Sequence, residues 1–150
     1  MATAWPALGT TIGIDESYPP GGTYSLIGSV ISITNAGGAK VGVRDTTHLG
    51  STIKTFAPSL AEPGEAKLSI LFDPTDSVHK FLRNLSGNPP TPPYLNNFKV
   101  TFNTGSTTST AVFAAIVETL DGPTADGVDN NLMAEFTLKM SGQTTWNAAT

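Results

Sequence analysis

The stretch that most constrains the fold runs from Ala66 to Gly87, where a strand pattern passes directly into a helix pattern. In its first half, apolar residues occupy every second position: Ala66, Leu68, Ile70 and Phe72. This period of two predicts a strand with one buried face.

The second half predicts an α-helix over about residues 74–86. Asp73 is predicted to cap its N-terminus, Pro74 to take the first helical position and Asp76 to follow at N3. Four apolar side chains then recur along one helix face: Val78, Phe81, Leu82 and Leu85. His79 falls outside this stripe and is predicted to face solvent. A helix with one apolar stripe must pack on a sheet, so the predicted role of this helix is structural.

Outside this helix the patterns predict strands and turns. Segments with strand periodicity cover residues 10–14, 24–34, 40–45, 66–72, 98–102, 110–120 and 132–140. The segment 24–34 is predicted to bend near Gly28, and the unbroken apolar run 110–120 predicts a central strand covered on both faces. The fold class is therefore mainly β: a β-sandwich or barrel of about seven strands with one flanking helix.

A length of 150 residues with 39% hydrophobic residues is the size of one domain, predicted to cover residues 1–150. Residues 1–9 are predicted to form an N-terminal arm and residues 144–150 a flexible C-terminus. The sequence has no cysteine, so it builds no disulfide framework. No signal peptide or membrane span is expected from its hydropathy pattern.

A long loop is predicted between residues 46 and 65, where no period is visible and two prolines occur. Its side chains are too apolar for a loop that only meets water. The residues expected to contact a partner are Thr46, His48, Leu49, Ile53, Phe56, Pro58 and Leu60.

Charge is scarce and unevenly placed. Charged residues make up 13% of the chain, against roughly 25% in ordinary soluble domains. Residues 1–100 hold seven acids and seven bases, whereas Glu118, Asp121, Asp126, Asp129 and Glu135 face only Lys139 in the remainder. Without a basic patch, tight binding of nucleic acid is excluded.

The sequence contains no pattern of a catalytic or metal site. Its two histidines, His48 and His79, are not accompanied by a nucleophile elbow or by a second histidine at zinc-ligand spacing. The acidic segment 121–131 lacks the register of a calcium-binding loop, and its composition is that of a turn-rich hairpin connection. No catalytic residue, metal or cofactor is predicted. An alternative function is a monomeric β-sandwich module that binds carbohydrate or another ligand through Trp5, Tyr94 or Trp146.

The order of these parts resembles the tail tube proteins, or major tail proteins, of phages with long non-contractile tails. The resemblance covers about residues 41–140. It rests on Val43-Arg44-Asp45-Thr46-Thr47-His48-Leu49, on Ala57-Pro58-Ser59-Leu60 with Glu62-Pro63-Gly64-Glu65, and on Leu68-Ser69-Ile70-Leu71-Phe72-Asp73-Pro74 followed by the helix. Contractile-tail tubes and the type VI secretion tube are related in fold.

The resemblance implies a structural virion protein that assembles into stacked hexameric rings around a channel for DNA delivery. It implies that the loop 46–65 reaches the neighbouring ring. Partners would be further copies of the chain, a tape-measure protein, and terminator and distal tail proteins, with double-stranded DNA only in passage and no membrane. The expected location is the virion tail, after assembly in the host cytoplasm. The acids of the last third fit a channel wall that repels phosphate. The alternatives are that they face the outside of the tube or the interfaces between rings.

Overall fold

The computed structural model describes residues 8–17, 20–87, 94–103, 107–125, 127 and 131–147. Within them the chain forms nine strands and one helix: β1 (Thr11–Ile14), β2 (Ser25–Leu26), β3 (Val30–Thr34), β4 (Ala39–Asp45), β5 (Phe56–Pro63), β6 (Glu65–Leu71), α1 (Ser77–Gly87), β7 (Asn96–Asn103), β8 (Thr108–Thr124) and β9 (Met133–Asn147). The mainly β fold with one helix agrees with the sequence prediction.

Seven strands form one antiparallel sheet in the order β2-β1-β7-β8-β9-β6-β3, and β4 pairs only with β5. The sheet curls, because β3 at one edge and, near the other, β7 and residues 8–10 just before β1 line the same apolar cavity of about 790 Å³. The predicted strand 24–34 is divided into β2 and β3. Ser29 between them has a φ of 59°, a left-handed conformation that a continuous strand does not accommodate.

The core lies on the concave side of this sheet. Phe98, Phe136, Leu68 and Leu138 are fully buried there, and Leu82 is the fully buried residue of the helix stripe. Val78, Phe81 and Leu85 pack partly buried against the same cluster. Burial of each such side chain stabilises the fold by about 1.5–3 kcal/mol before chain entropy is counted.

The central position of β8 is confirmed, but its predicted burial on both faces is wrong. Ala111, Phe113, Ala115 and Val117 are buried, whereas Ile116 on the other face is half exposed. Because the outward-facing side chains of β8 are also apolar, its sequence cannot be distinguished from that of a strand buried on both faces.

The helix begins three residues later than predicted, at Ser77. Asp76 is its N-cap, since its Oδ1 accepts hydrogen bonds from the backbone N–H groups of Val78 (2.8 Å) and His79 (3.2 Å). Asp73 and Pro74 instead belong to the β-turn before the helix, which the Asp76 N–H closes on the Asp73 carbonyl at 3.1 Å. Proline fits the second position of such a turn as well as it fits a helix start.

His79 is buried, so its predicted exposure is wrong: its relative exposure is 1%. Its ring stacks on Phe72 with centroids 5.8 Å apart. Gly28, in the segment between β2 and β3, provides the carbonyl oxygen that lies 2.9 Å from Nε2. The spacing of apolar residues in the helix could not predict this burial, because the segment that covers His79 lies 51 residues away in the sequence.

Residues 144–147 of the predicted flexible C-terminus belong to β9, where Thr145 pairs with Val112 and Asn147 with Thr110. The Ser109 hydroxyl donates a hydrogen bond to the Asn147 carbonyl oxygen at 2.7 Å. Residues 148–150 and residues 1–7 of the predicted arm lie outside the described part of the chain.

Candidate assembly interface

The prediction of a loop is wrong for the second half of residues 46–65, which is a strand of a β-hairpin. Residues 56–63 form β5, which pairs with β4, and only residues 46–55 connect the two strands. We call residues 39–63 the hairpin. A two-stranded ribbon buries neither of its faces, and β5 therefore lacks the alternation that marks a half-buried strand.

The hairpin carries half of the large apolar side chains that the described chain exposes. Six of the twelve lie on it: Val41, Val43, Leu49, Ile53, Phe56 and Leu60. Isolated two-stranded hairpins are only marginally stable in water, and the six exposed apolar side chains make this ribbon the candidate assembly interface.

The register divides the two sides of the ribbon by chemistry. Val41 lies opposite Ala61, Val43 opposite Pro58, and Asp45 opposite Phe56. Cross-strand partners share a face, so one side of the hairpin is predominantly apolar. The charged residues Lys40, Arg44 and Glu62 belong to the alternate positions.

The connection at the tip of the hairpin is held by hydrogen bonds. The Thr46 N–H donates to the Thr55 carbonyl oxygen at 2.9 Å, and the Thr55 N–H donates to the Thr47 hydroxyl at 3.0 Å. The Thr47 side chain, together with the Thr47 backbone N–H that donates to Asp45 Oδ1 at 2.8 Å, holds the pKa of the Asp45 carboxyl group below its usual value. The tip therefore presents Leu49, which is fully exposed, on a backbone that is already ordered.

The hairpin contains all seven predicted contact residues. Thr46, His48, Leu49 and Ile53 lie in the tip, and Phe56, Pro58 and Leu60 lie on β5. The prediction omitted Val41 and Val43 because β4 was taken for an ordinary body strand. The sequence shows that Val41 and Val43 alternate with Lys40, Gly42 and Arg44. It does not show that no other layer of the protein packs on β4.

The structure does not gather the five predicted channel-facing acids into one described cluster. Asp126 and Asp129 lie outside the described residues. Glu118 is exposed beside the bulge of β8, and Asp121 lies directly opposite Glu135 on β9. Like charges at that spacing repel, and the nearby Lys67 ammonium, 4.0 Å from the Glu135 carboxylate, offsets the repulsion.

On the convex face of the sheet around these acids, two lysines are paired with carboxylates. Lys139 pairs with Glu65 at 3.7 Å in the same way as Lys67 pairs with Glu135. Both pairs are half exposed, and each contributes little to stability. Their effect is to give each of the two lysines a carboxylate from this chain, which reduces their attraction for an external phosphate.

Of the three aromatic residues of the alternative function, the two that the structure describes, Tyr94 and Trp146, lie toward opposite ends of β7. Trp146 stacks on Phe102 with ring centroids 6.3 Å apart, at the C-terminal end of β7. Tyr94 precedes the other end of β7, eight residues from Phe102, which is roughly 26 Å along a strand. Trp5 lies outside the described residues.

Other kinds of site find no support in the described residues. They contain no group of three or more acidic or histidine side chains arranged to hold a metal ion. No helix among them has the length and apolar character needed to span a membrane. Among the described residues, those that line the apolar cavity beside β3 include no ionisable side chain.

The fold is similar to that of proteins from tubes and their ends. A sheath/tube terminator of an extracellular contractile injection system (PVC) matches with a TM-score of 0.73 and 12% identity, over 99% of each chain. The tube-terminating cap of the anti-feeding prophage (AFP) matches with a TM-score of 0.70 and 13% identity, over 99% of this chain and 94% of that one. The SPP1 tail tube matches with a TM-score of 0.69 and 13% identity, over 97% of this chain and 80% of that one.

No protein-family model matches the sequence, and comparison with curated protein sequences finds no match. At 12–13% identity the structural comparisons establish the fold alone. The matched proteins are described as components of tubes and of their caps. The chain has the fold of tail tube and tube terminator proteins, as the sequence resemblance predicted.

Proposed function

We propose that this chain is the building block of the tail tube of a phage or phage-like particle. Copies form hexameric rings, and the rings stack around a channel through which double-stranded DNA passes. The observation that carries the proposal is the hairpin, an apolar ribbon without a covering layer, on a body with the fold of tube proteins.

Association through the hairpin has a clear energetic source. Leu49 and Ile53 are largely exposed in the single chain. Removing such a side chain from water is worth about 1.5–3 kcal/mol, before the costs of association are subtracted. When a ribbon on one copy meets a different surface on the next, the contact repeats from copy to copy and generates rings or open filaments.

The acidic residues support passage of DNA rather than its capture. We propose that Glu118, Asp121, Asp126, Asp129 and Glu135 face the channel and repel the phosphate backbone. Replacing all five by their amides is expected to slow DNA ejection from assembled particles while tube length stays normal. Normal tubes with unchanged ejection would contradict this placement.

The proposal also names partners and a location. The other components are a tape-measure protein within the growing tube and terminator and distal tail proteins at its ends. The chain is placed in the virion tail, after assembly in the host cytoplasm.

A tube terminator is the second candidate, because two of the similar structures are described by that role. The two functions differ in whether assembly continues. A tube protein is expected to form tubes that lengthen with concentration, whereas a terminator is expected to stop at a closed ring. Negative-stain microscopy of the purified chain over a range of concentrations distinguishes these outcomes.

The role of the hairpin is tested by the double variant Leu49→Asp/Ile53→Asp. It should retain the folded body and lose assembly, measured by sedimentation and microscopy. The control is Lys80→Asp on the exposed part of α1, which makes the same change in net charge and should assemble normally. Wild-type assembly by the tip variant would refute the proposed contact.

A further inference from the structure

The hairpin is joined to the body through a bulge. Thr34 is the last paired residue of β3, opposite Lys67, and Ala39 is the first of β4, opposite Pro63. Four residues, 35–38, therefore lie between these pairs on one strand, and three, 64–66, on the other. One extra residue bends a strand pair and increases its twist. We call residues 35–38 together with Gly64 the neck.

Asn35 links the two sides of the neck. Its φ of 59° is left-handed, a conformation that asparagine adopts more readily than most residues. Its carbonyl oxygen accepts a hydrogen bond from the Gly38 N–H at 3.3 Å. Its side-chain Nδ2 donates to the carbonyl oxygen of Glu65, the first residue of β6, at 2.9 Å. The side chain thus ties the bulged strand to the strand opposite.

Gly64 is the residue at which the other strand changes partners. Its N–H donates to the Gly38 carbonyl oxygen on the hairpin side at 3.0 Å, and its own carbonyl oxygen accepts from the Met140 N–H of β9 at 3.2 Å. A Cβ on Gly38 would collide with the side-chain oxygen of Asn35, and one on Gly64 would lie 3.0 Å from its Nδ2. The Asn35 amide therefore fills the space that these two glycines leave open.

From this geometry we infer that Asn35 is a positioning residue for self-association. Its side-chain hydrogen bond fixes the direction in which the hairpin leaves the body. The inference rests on the proposed function and adds to it the group that orients the contact surface.

The direction of the hairpin matters because the hairpin is long. The seven residues of β4 extend about 20 Å. A rotation of about 10° at the neck moves the tip by about 3–4 Å, which is enough to separate surfaces in van der Waals contact. In a repeating contact between identical copies, the same rotation also changes the turn from one copy to the next.

The test uses Asn35→Asp and Asn35→Gly in the full chain. Aspartate keeps the size and tolerates the left-handed backbone, but it has no N–H to donate to Glu65. Glycine keeps the backbone conformation and removes the side chain without adding charge. Asn84→Asp, on the exposed part of α1, is the matched control for the added charge.

Both Asn35 variants should keep a thermal midpoint within about 5 °C of wild type, since one exposed hydrogen bond is lost. Amide exchange in residues 39–63 of the unassembled protein should become faster, while exchange in β7 and β8 stays unchanged. The critical concentration for assembly should rise about fivefold or more, and the tubes that form should show an altered rotation between rings. Asn84→Asp should match wild type in every measurement.

The outcomes separate the two proposals. If wild type assembles and both Asn35 variants form tubes at the same concentration with the same rotation, the role of Asn35 is refuted and the proposed function stands. If wild type stays monomeric at all concentrations and in the presence of the other tail components, the proposed function fails and the role of Asn35 in association fails with it.

Discussion

The imidazole of His79 accepts a hydrogen bond at Nδ1 from the backbone N–H of Asp73, with the two nitrogens 2.9 Å apart. Since Nδ1 is the acceptor, the ring proton resides on Nε2, which donates to the Gly28 carbonyl oxygen at 2.9 Å. One buried side chain thereby joins the turn before α1 to the segment between β2 and β3.

Replacing His79 by alanine should be strongly destabilising. The change leaves a cavity beside Phe72 and removes partners from two backbone groups. We expect a loss of about 2–4 kcal/mol in the free energy of unfolding, measured by urea denaturation. Arg83→Ala, at an exposed position of the same helix, should change it by less than about 0.5 kcal/mol. Equal effects of the two substitutions would contradict the buried role.

Asp76 and Asp73 should differ in their effect on the helix. Asp76→Ala removes the acceptor for two N–H groups of the first turn and is expected to cost about 1 kcal/mol, whereas Asp76→Ser should recover most of it. Asp73→Ala should leave exchange of the Val78 and His79 amides near wild type, because the Asp73 carboxylate bonds to Thr75 and not to these amides, and the backbone N–H that donates to His79 is kept. Faster exchange of these two amides only in Asp73→Ala would reverse the assignment.

Acid should destabilise the chain through three carboxyl groups. Hydrogen bonds hold the pKa values of Asp15, Asp45 and Asp73 below the usual value of an aspartate, chiefly those from the side chains of Ser17, Thr47 and Thr75 respectively. A depressed folded-state pKa gives stability that is present above the unfolded value of about 3.9 and is lost as pH falls through the folded value. The thermal midpoint should therefore decline as pH falls below about 4.

Asp15→Asn provides the test of this linkage. It should lower the midpoint at neutral pH, because an amide nitrogen cannot accept the Gly22 N–H, and it should flatten the decline in acid. Glu16→Gln, at an exposed neighbouring position, is the control and should keep the wild-type slope. A slope in Asp15→Asn as steep as in wild type would rule out the contribution of Asp15.

Gly37→Ala should disturb the neck where it meets β9. Gly37 has a φ of 75°, and an added Cβ would lie 2.9 Å from a Thr144 methyl and 3.0 Å from the Trp146 ring. The left-handed backbone alone costs about 1–2 kcal/mol for a residue with a Cβ. Gly28→Ala, where a Cβ meets nothing within 4 Å, should be far milder in thermal melts. Equal melting temperatures for the two variants would show that the neck accommodates a Cβ at Gly37 without loss of stability.

The features that the sequence predicted are those set by local periodicity. The alternation of β6 and the i, i+3, i+4, i+7 stripe of α1 each repeat often enough to identify the element and its buried face. The helix start was misplaced because Asp73 and Asp76 both satisfy the rules for a cap, and only the turn closed by the Asp76 N–H decides between them.

The remaining features depend on what lies above or beside an element. His79 is buried because the segment carrying Gly28 covers it, and the two are 51 residues apart. β5 was missed because Pro58 and Pro63 argue against a strand in the middle of a sheet. In a two-stranded ribbon each strand has a free edge, where a missing N–H costs nothing.

The continuity of β5 and β6 through Gly64 has a mechanical consequence. A pull on the hairpin travels along the backbone into β6, which lies between β3 and β9 and is hydrogen-bonded to both. Tension along β6 loads these two ladders in shear, so that many bonds must fail together rather than one after another. In a tube made of such subunits, the inner strands of each body would resist stretching, and the projecting hairpins would transmit the tension from one body to the next.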